Sequence, residues 1–251
     1  MMSSTGDDTV EPRSGRPGTD EMRAALDRRT AGHDVPTGAR ADLANAARTI
    51  IDELMRSTAD DADFEQASAL VVEAAELLRN RAHNRRYEGV AEASLAGIQD
   101  NFISFSPFIG ELNPLAPPIK VRFDADNNVI GTCTYGTAYE GPPGCLHGGF
   151  IAAGFDEVLG FAQAFSGHPG MTGNLNISYR SPTPLFQEVR FVGRLDRIDG
   201  RKIYASATLS AGDRLCAEAQ GLFISLKPAV FDDLRKVRGQ NEAAALDAER
   251  S

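Results

Sequence analysis

The chain has 251 residues, 42% of them hydrophobic, with 35 acidic against 26 basic residues and a formal net charge of −9. That is enough apolar material for a substantial core, while the acidic balance argues against a general binder of nucleic acid or acidic membranes, which needs basic surface. No apolar run approaches the length of a membrane span, and the start, MMSSTGDDTVEPRSGRPGTDE, lacks the apolar centre of a secretory signal.

Residues 1–40 are rich in Gly, Pro, Asp, Arg and Thr and read as a disordered tail. Two helical segments follow in a region, 41–112, that reads as a helical extension and linker. Leu43, Ala46, Ala47, Ile50, Ile51 and Leu54 keep a 3.6-residue period, as do Phe64, Ala67, Leu70, Val71, Ala74, Leu77 and Leu78. Asp61 or Asp63 is expected to cap the second segment, and the pair reads as a helical hairpin. Its basic end (Arg79, Arg81, Arg85, Arg86) suits a helix C-terminus, and a solvated helix end is a simpler account of it than phosphate binding.

After a loop-like stretch over 103–118 the period drops from 3.6 to 2. Ile119, Val121 and Phe123 alternate with Lys120 and Arg122, Asp126-Asn127-Asn128 turns the chain, and Val129 to Tyr135 pairs back as a hairpin. A Gly/Pro loop then leads into Cys145–Phe165, CLHGGFIAAGFDEVLGFAQAF, around which the rest is organised. Ile151, Phe155, Val158, Leu159 and Ala162 form one buried helical stripe. Gly149, Ala152, Ala153, Asp156 and Gly160 form a second stripe that is nearly bare except for one carboxylate. Something must approach this face closely and meet Asp156 there.

The start of that helix offers no Ser, Thr, Asp or Asn at the cap position, so its first N–H groups need other partners. Glycines let a ligand oxygen reach the backbone at a point where the helix dipole favours negative charge. Asp156 lies about two turns, on the order of 10 Å, further along the axis. One small ligand group cannot easily touch both on a straight helix. A two-fold axis that brings in a second copy would set the amide of one chain against the acid of the other, so a dimer is expected.

Beyond Gly173 the chain is strand after strand. Leu175, Ile177 and Tyr179 alternate with Asn174, Asn176, Ser178 and Arg180; Val189 to Ile198 reaches the Asp199-Gly200 turn; Ile203 to Leu209 alternates next; Ala211-Gly212-Asp213 turns into Leu215 to Leu226. Pro228 ends the series, and 229–251 reads as an acidic, partly helical tail. Two strands, one long helix and four tightly connected strands make an α+β domain over 113–228: an antiparallel sheet whose one apolar face is covered by one helix. Cys133, Cys145 and Cys216 are isolated, which suggests neither a disulfide framework nor a zinc site and fits a reduced, cytoplasmic protein. There is no P-loop, metal-ligand cluster or nucleophile elbow.

This arrangement resembles the hotdog fold, with the sheet wrapped around one long helix. The segment GCLHGGFIAAGFDEVLG is similar to the HGG-x₆-D signature of the PaaI-type acyl-CoA thioesterases, and MTGNLNISYRSPTPL, DGRKIYASATL and EAQGLFISL follow in that family's order and spacing. The nearest flavour is the long-chain acyl-CoA thioesterases of the carboxy-terminal modulator protein type. The resemblance spans roughly Pro118 to Lys227. It implies hydrolysis of an acyl-CoA thioester to a free acid and coenzyme A, with no metal or redox cofactor and coenzyme A present only as part of substrate and product.

By the same resemblance Asp156 is the catalytic carboxylate, as general base or direct nucleophile, and the Gly148 N–H polarises the thioester carbonyl. His147 shapes the carbonyl loop, and Thr172 supplies a hydroxyl that orients water. Gly149, Asn174 and Arg180 are candidate substrate contacts, Arg180 toward coenzyme A phosphates, although a solvated strand edge explains Arg180 as well. Gly141 stands where some relatives carry an Asn, so a second polar contact to the thioester must come from elsewhere. Phe155, Leu159 and Phe161 are candidates for setting the depth of an acyl tunnel. The site is expected at the interface of a homodimer, with a dimer of dimers left open. Two rival readings are a hotdog module that binds acyl-CoA or a protein without turnover, and an enoyl-CoA hydratase. The latter is disfavoured because the His precedes the acid.

Overall fold

The computed structural model of the chain describes residues 36–79, 103–164, 166–167 and 170–226, with a few isolated positions nearer the ends. Most of the tails expected over 1–40 and 229–251, together with Arg81, Arg85 and Arg86, lies outside the described residues.

Alternating apolar residues build six antiparallel strands: β1 (Lys120–Phe123), β2 (Val129–Thr134), β3 (Gly170–Tyr179), β4 (Glu188–Asp199), β5 (Lys202–Ala211) and β6 (Arg214–Ser225). Their order in the sheet is β1-β2-β4-β5-β6-β3, so β3 forms one edge. The hairpin turns fall where the sequence places them. Asp199 pairs with Lys202 across Gly200 (φ 56°), and Ala211 pairs with Arg214 across Gly212 (φ 57°), left-handed backbone that glycine adopts at little cost.

Between β2 and β3 runs the long helix. It is labelled α3 (Gly148–Ala164), after α1 (Ala39–Arg56) and α2 (Asp61–Arg79), the two helices before β1 given with bounds among the described residues. Ile151, Phe155, Val158, Leu159 and Ala162 of α3 are all buried, as their period predicts. They lie on the inward residues of β4, β5 and β6, among them Val189, Phe191, Ile203, Leu209 and Phe223. Glycines bring the two layers together. A Cβ at Gly193 would stand 2.7 Å from Val158 Cγ1, and one at Gly154 would stand 2.5 Å from the Phe191 ring. Phe155, Leu159 and Phe161 are fully buried in this core, so none of them lines an open tunnel.

The core also reaches back before the boundary expected at 113. Ile103 and Ile109 belong to the same apolar cluster, and Ser104 and Ser106 are buried beside them. This loop is tied to α1 by Arg48, whose guanidinium donates to the carbonyls of Ala116, Gly110, Glu111 and Asn113 at 2.6–3.2 Å.

The helical hairpin does not form. No packed interface joins α1 to α2. α1 rests on the 3₁₀ turn Thr137–Tyr139 and buries only Ala41 and Ala44, leaving Leu43, Ile50 and Leu54 exposed; α2 buries none of its residues. The cap of α2 is Asp60, whose Oδ1 accepts from the Asp63 N–H at 3.1 Å, rather than Asp61 or Asp63.

Phe155 and Phe191 meet edge to face with ring centroids 5.3 Å apart, at the point where α3 lies closest to the sheet. Phe191→Ala should therefore cost about 3–5 kcal/mol, read as a fall in the urea midpoint with the slope unchanged.

Candidate active site

The approach to α3 is fixed by backbone bonds. Leu146 N–H donates to Thr183 O (2.8 Å), His147 N–H to Tyr139 O (2.9 Å) and Gly141 N–H to Cys145 O (2.9 Å). A Cβ at Gly141 would stand 2.8 Å from His147 Cα, so the position that carries Asn in some relatives has no room for a side chain in this loop.

His147 caps the helix. Its Nδ1 accepts from the Gly149 N–H at 3.0 Å, and its carbonyl accepts from Phe150 and Ile151. The sequence offered no conventional cap, and an imidazole nitrogen supplies it. This bond sets the tautomer: with Nδ1 as acceptor in the neutral ring, the proton sits on Nε2, which is left as an outward donor. It also engages the Gly149 N–H, and a Cβ at Gly149 would crowd the His147 ring, 3.1 Å from Nδ1. The Gly148 N–H has no hydrogen-bond partner among the described residues. It points out of a helix N-terminus and is free to bind an oxyanion.

One residue that was given no role in the sequence reading holds this terminus. Tyr179, at the end of β3, donates its hydroxyl to Gly148 O at 3.0 Å. It closes the strand part of the segment MTGNLNISYRSPTPL, and its inward parity beside Leu175 and Ile177 was the available signal.

Asp156 is exposed on the bare stripe with Gly149, Ala152, Ala153 and Gly160. Its Oδ1 accepts from Thr172 Oγ1 at 2.8 Å. The single hydroxyl proton of Thr172 thus orients the carboxylate directly, and the hydroxyl's lone pairs stay available to a water. Thr172 reaches Asp156 because β3 carries a bulge between Thr172 and Asn174. Thr172 lies opposite Phe223, on the helix side, and Asn174 lies opposite Leu222, on the outer side. Arg180 is also on the outer side. It is bonded through Nε to Glu218 at 2.7 Å and lines an open polar depression of about 490 Å³ with Asn176, Arg194 and Gln220. Gly148, His147, Gly149, Thr172 and Asp156 therefore lie on the α3 side of the sheet beside the β3 edge, whereas Asn174 and Arg180 lie across the sheet from them.

Next to Asp156, Glu157 turns inward. Its Oε1 accepts from Ser106 Oγ at 3.0 Å, and Ser106 in turn accepts the N–H groups of Phe108 and Ile109, locking the 103–118 loop onto α3. Burial pushes the Glu157 carboxyl from 4.5 up to about 7, opposed by the Ser106 bond and aided by the charge of Asp156.

The family model described as Thioesterase superfamily matches residues 143–218. The crystal structure of RHA08564, a thioesterase superfamily protein, is 33% identical and covers 75% of this chain and 96% of that one with a TM-score of 0.69. Acyl-coenzyme A thioesterase THEM4 of Rattus norvegicus is 39% identical over 106 residues, 41% of this chain and 46% of that protein. Acyl-coenzyme A thioesterase THEM5 of Homo sapiens is 33% identical over 94 residues, 37% of this chain and 38% of that protein. The chain belongs to the thioesterase superfamily, and its sheet wrapped on one helix is the hotdog fold. It spans less than half the length of these two curated relatives.

The raised carboxyl of Glu157 has a thermodynamic consequence with a definite sign. Between pH 4.5 and about 7 the folded chain keeps a proton that the unfolded chain releases, so stability falls as pH rises through that window. The slope from one such group is at most about 1.4 kcal/mol per pH unit. Glu157→Gln keeps the acceptor for Ser106 and removes the titration. Urea unfolding at pH 5, 6 and 7 should show the variant gaining on the native chain as pH rises; a constant difference would contradict the placement of this carboxyl.

Proposed function

We propose that the chain hydrolyses acyl-CoA thioesters, at a site shared between two copies. The observation that carries this reading is the presence, on one face of α3, of a free helix-terminal N–H at Gly148 and a carboxylate, Asp156, oriented by Thr172. Relatives named as acyl-CoA thioesterases support the substrate class.

The thioester carbonyl oxygen rests on the Gly148 N–H, with the Nε2–H of His147 as a second donor. A water held by Thr172 and Asp156 attacks the carbonyl carbon while Asp156 takes its proton. The carbonyl electrons move onto oxygen, where the two donors stabilise the developing charge. Collapse then breaks the C–S bond, and coenzyme A leaves as the thiolate and takes up a proton. Tyr179 and the Gly149 bond to His147 keep the donors aimed. Eight residues separate Gly148 from Asp156 on one helix, roughly 12 Å of axial rise, so the acid that serves a given Gly148 comes from the partner copy across the β3 edge. Three unpaired thiols, with burial pushing Cys133 up to about 12, suit a reducing compartment such as the cytoplasm.

A panel of short, medium, long and aromatic acyl-CoAs with a thiol reagent reads the reaction directly; silence across the panel would favour a binding module without turnover. Two variants separate the roles. Asp156→Asn should lower kcat by about 10²–10⁴-fold with KM little changed. Gly148→Pro removes the N–H at the first helical position, where proline is well tolerated, and should cost roughly 10²–10³-fold in kcat. Full turnover in either variant would remove that residue from the chemistry.

A further inference from the structure

α1 adds little to the apolar core: it buries only Ala41 and Ala44 and leaves Leu43, Ile50, Ile51 and Leu54 exposed. Its attachment rests instead on Arg48. Nε donates to Ala116 O at 3.1 Å, and Nη2 donates to the carbonyls of Gly110, Glu111 and Asn113 at 3.2, 2.6 and 3.0 Å. Nη1 donates to Asn45 Oδ1 at 2.6 Å, so all three nitrogens are engaged. That use needs the planar fork of an arginine, which the point charge of a lysine does not reproduce.

Two arms lead from α1 to α3. The first is the 103–118 loop, where Gly110 N–H donates to Ser106 O at 3.1 Å and the Ser106 hydroxyl donates to Glu157, the neighbour of Asp156, at 3.0 Å. The second is the 3₁₀ turn Thr137–Tyr139, on which α1 rests; a Cβ at Gly136, just before it, would stand 3.0 Å from Asp52 Oδ1 of α1. The Tyr139 carbonyl accepts the His147 N–H at 2.9 Å, and the Tyr139 ring meets Phe150 edge to face with centroids 4.8 Å apart. His147 in turn holds the Gly149 N–H beside the Gly148 donor. One arm therefore ends next to the acid and the other next to the amide, and neither runs through the sheet.

We propose that Arg48 is a positioning residue for hydrolysis: by seating α1 on the 103–118 loop and the Tyr139 turn, it holds the Gly148 donor and the Asp156 carboxylate in their working geometry. The inference rests on the thioesterase reading, and it gives α1, which lies outside the family match at 143–218, a part in the reaction. A misplacement of about 1 Å at such groups costs up to roughly 10²-fold in rate. The apolar cluster of α3 and the sheet does not include Arg48, so the domain is expected to fold without it.

The test compares the full native chain with Arg48→Met, which keeps the stem and removes the donors, and with Arg48→Lys, which keeps the charge without the fork and stands in should Arg48→Met not fold. Asp124→Ala, in the β1–β2 turn at the opposite edge of the sheet from β3, is the control for stability alone. On an acyl-CoA that the native chain hydrolyses, Arg48→Met should lower kcat by roughly 10–10²-fold with KM little changed, and Arg48→Lys should fall between the two. Asp124→Ala should keep the native kcat while its urea midpoint drops. Amide exchange at Gly149, followed by NMR, should quicken in both Arg48 variants as the His147 cap loosens, and hold its native rate in Asp124→Ala. Native kcat in the Arg48 variants beside an active native chain would overturn the role of Arg48 alone, as would unchanged exchange at Gly149. A kcat loss shared equally by Asp124→Ala would reduce Arg48 to a structural clamp and overturn it too. Silence of the native chain on every acyl-CoA strikes the thioesterase reading, and the proposal with it.

Discussion

The structure depends on how closely one helix can lie on a curved sheet. Glycines at 193 and 154 let Val158 and the Phe191 ring sit where Cβ atoms would otherwise be, and the apolar stripe of α3 is thereby buried on β4, β5 and β6. A helix held so tightly by one face presents its opposite face without cover. That uncovered stripe is nearly bare of side chains, and its one functional group, Asp156, stands beside the β3 edge. Packing therefore decides both where the core is and where the chemistry can be.

The N-terminus of α3 shows the same economy. Four N–H groups at a helix start need partners. Here His147 satisfies three of them, two through its carbonyl and one through Nδ1, and leaves Gly148 as the free donor. The imidazole is thus a structural cap, and with Nδ1 engaged as acceptor a ring proton is carried on Nε2. Tyr179, on β3, fixes the Gly148 peptide through its carbonyl. Asp156 is oriented by the Thr172 hydroxyl, and among the described residues no ion pair engages it.

Much of this was legible in the sequence because period and turn chemistry carry it: the 3.6-residue stripe of α3, the period-2 strands, and Gly200 and Gly212 at the hairpins. Contacts between distant segments were not. Ser106 and Glu157 are 51 residues apart, and no local pattern joins them. Periodicity on α1 and α2 shows an apolar face without saying what it meets, so a hairpin was expected where both faces are left largely exposed. Strict alternation along β3 would put Thr172 on the same side as Asn174. The bulge at Gly173 reverses that parity, and the family motif, which is indifferent to parity, located Thr172 where alternation would have misplaced it. The histidine cap was missed because cap rules look for short oxygen-bearing side chains.

The central claim is that each site takes its amide from one copy and its acid from the other. Asp156→Asn and Gly148→Pro chains, each inactive alone, can be refolded together and assayed on an acyl-CoA. In mixed dimers one site then carries both substitutions and the other carries neither, so about a quarter of native turnover should return in a statistical mixture. A mixture as inactive as its two components would mean that donor and base belong to the same chain, and the shared site would be wrong.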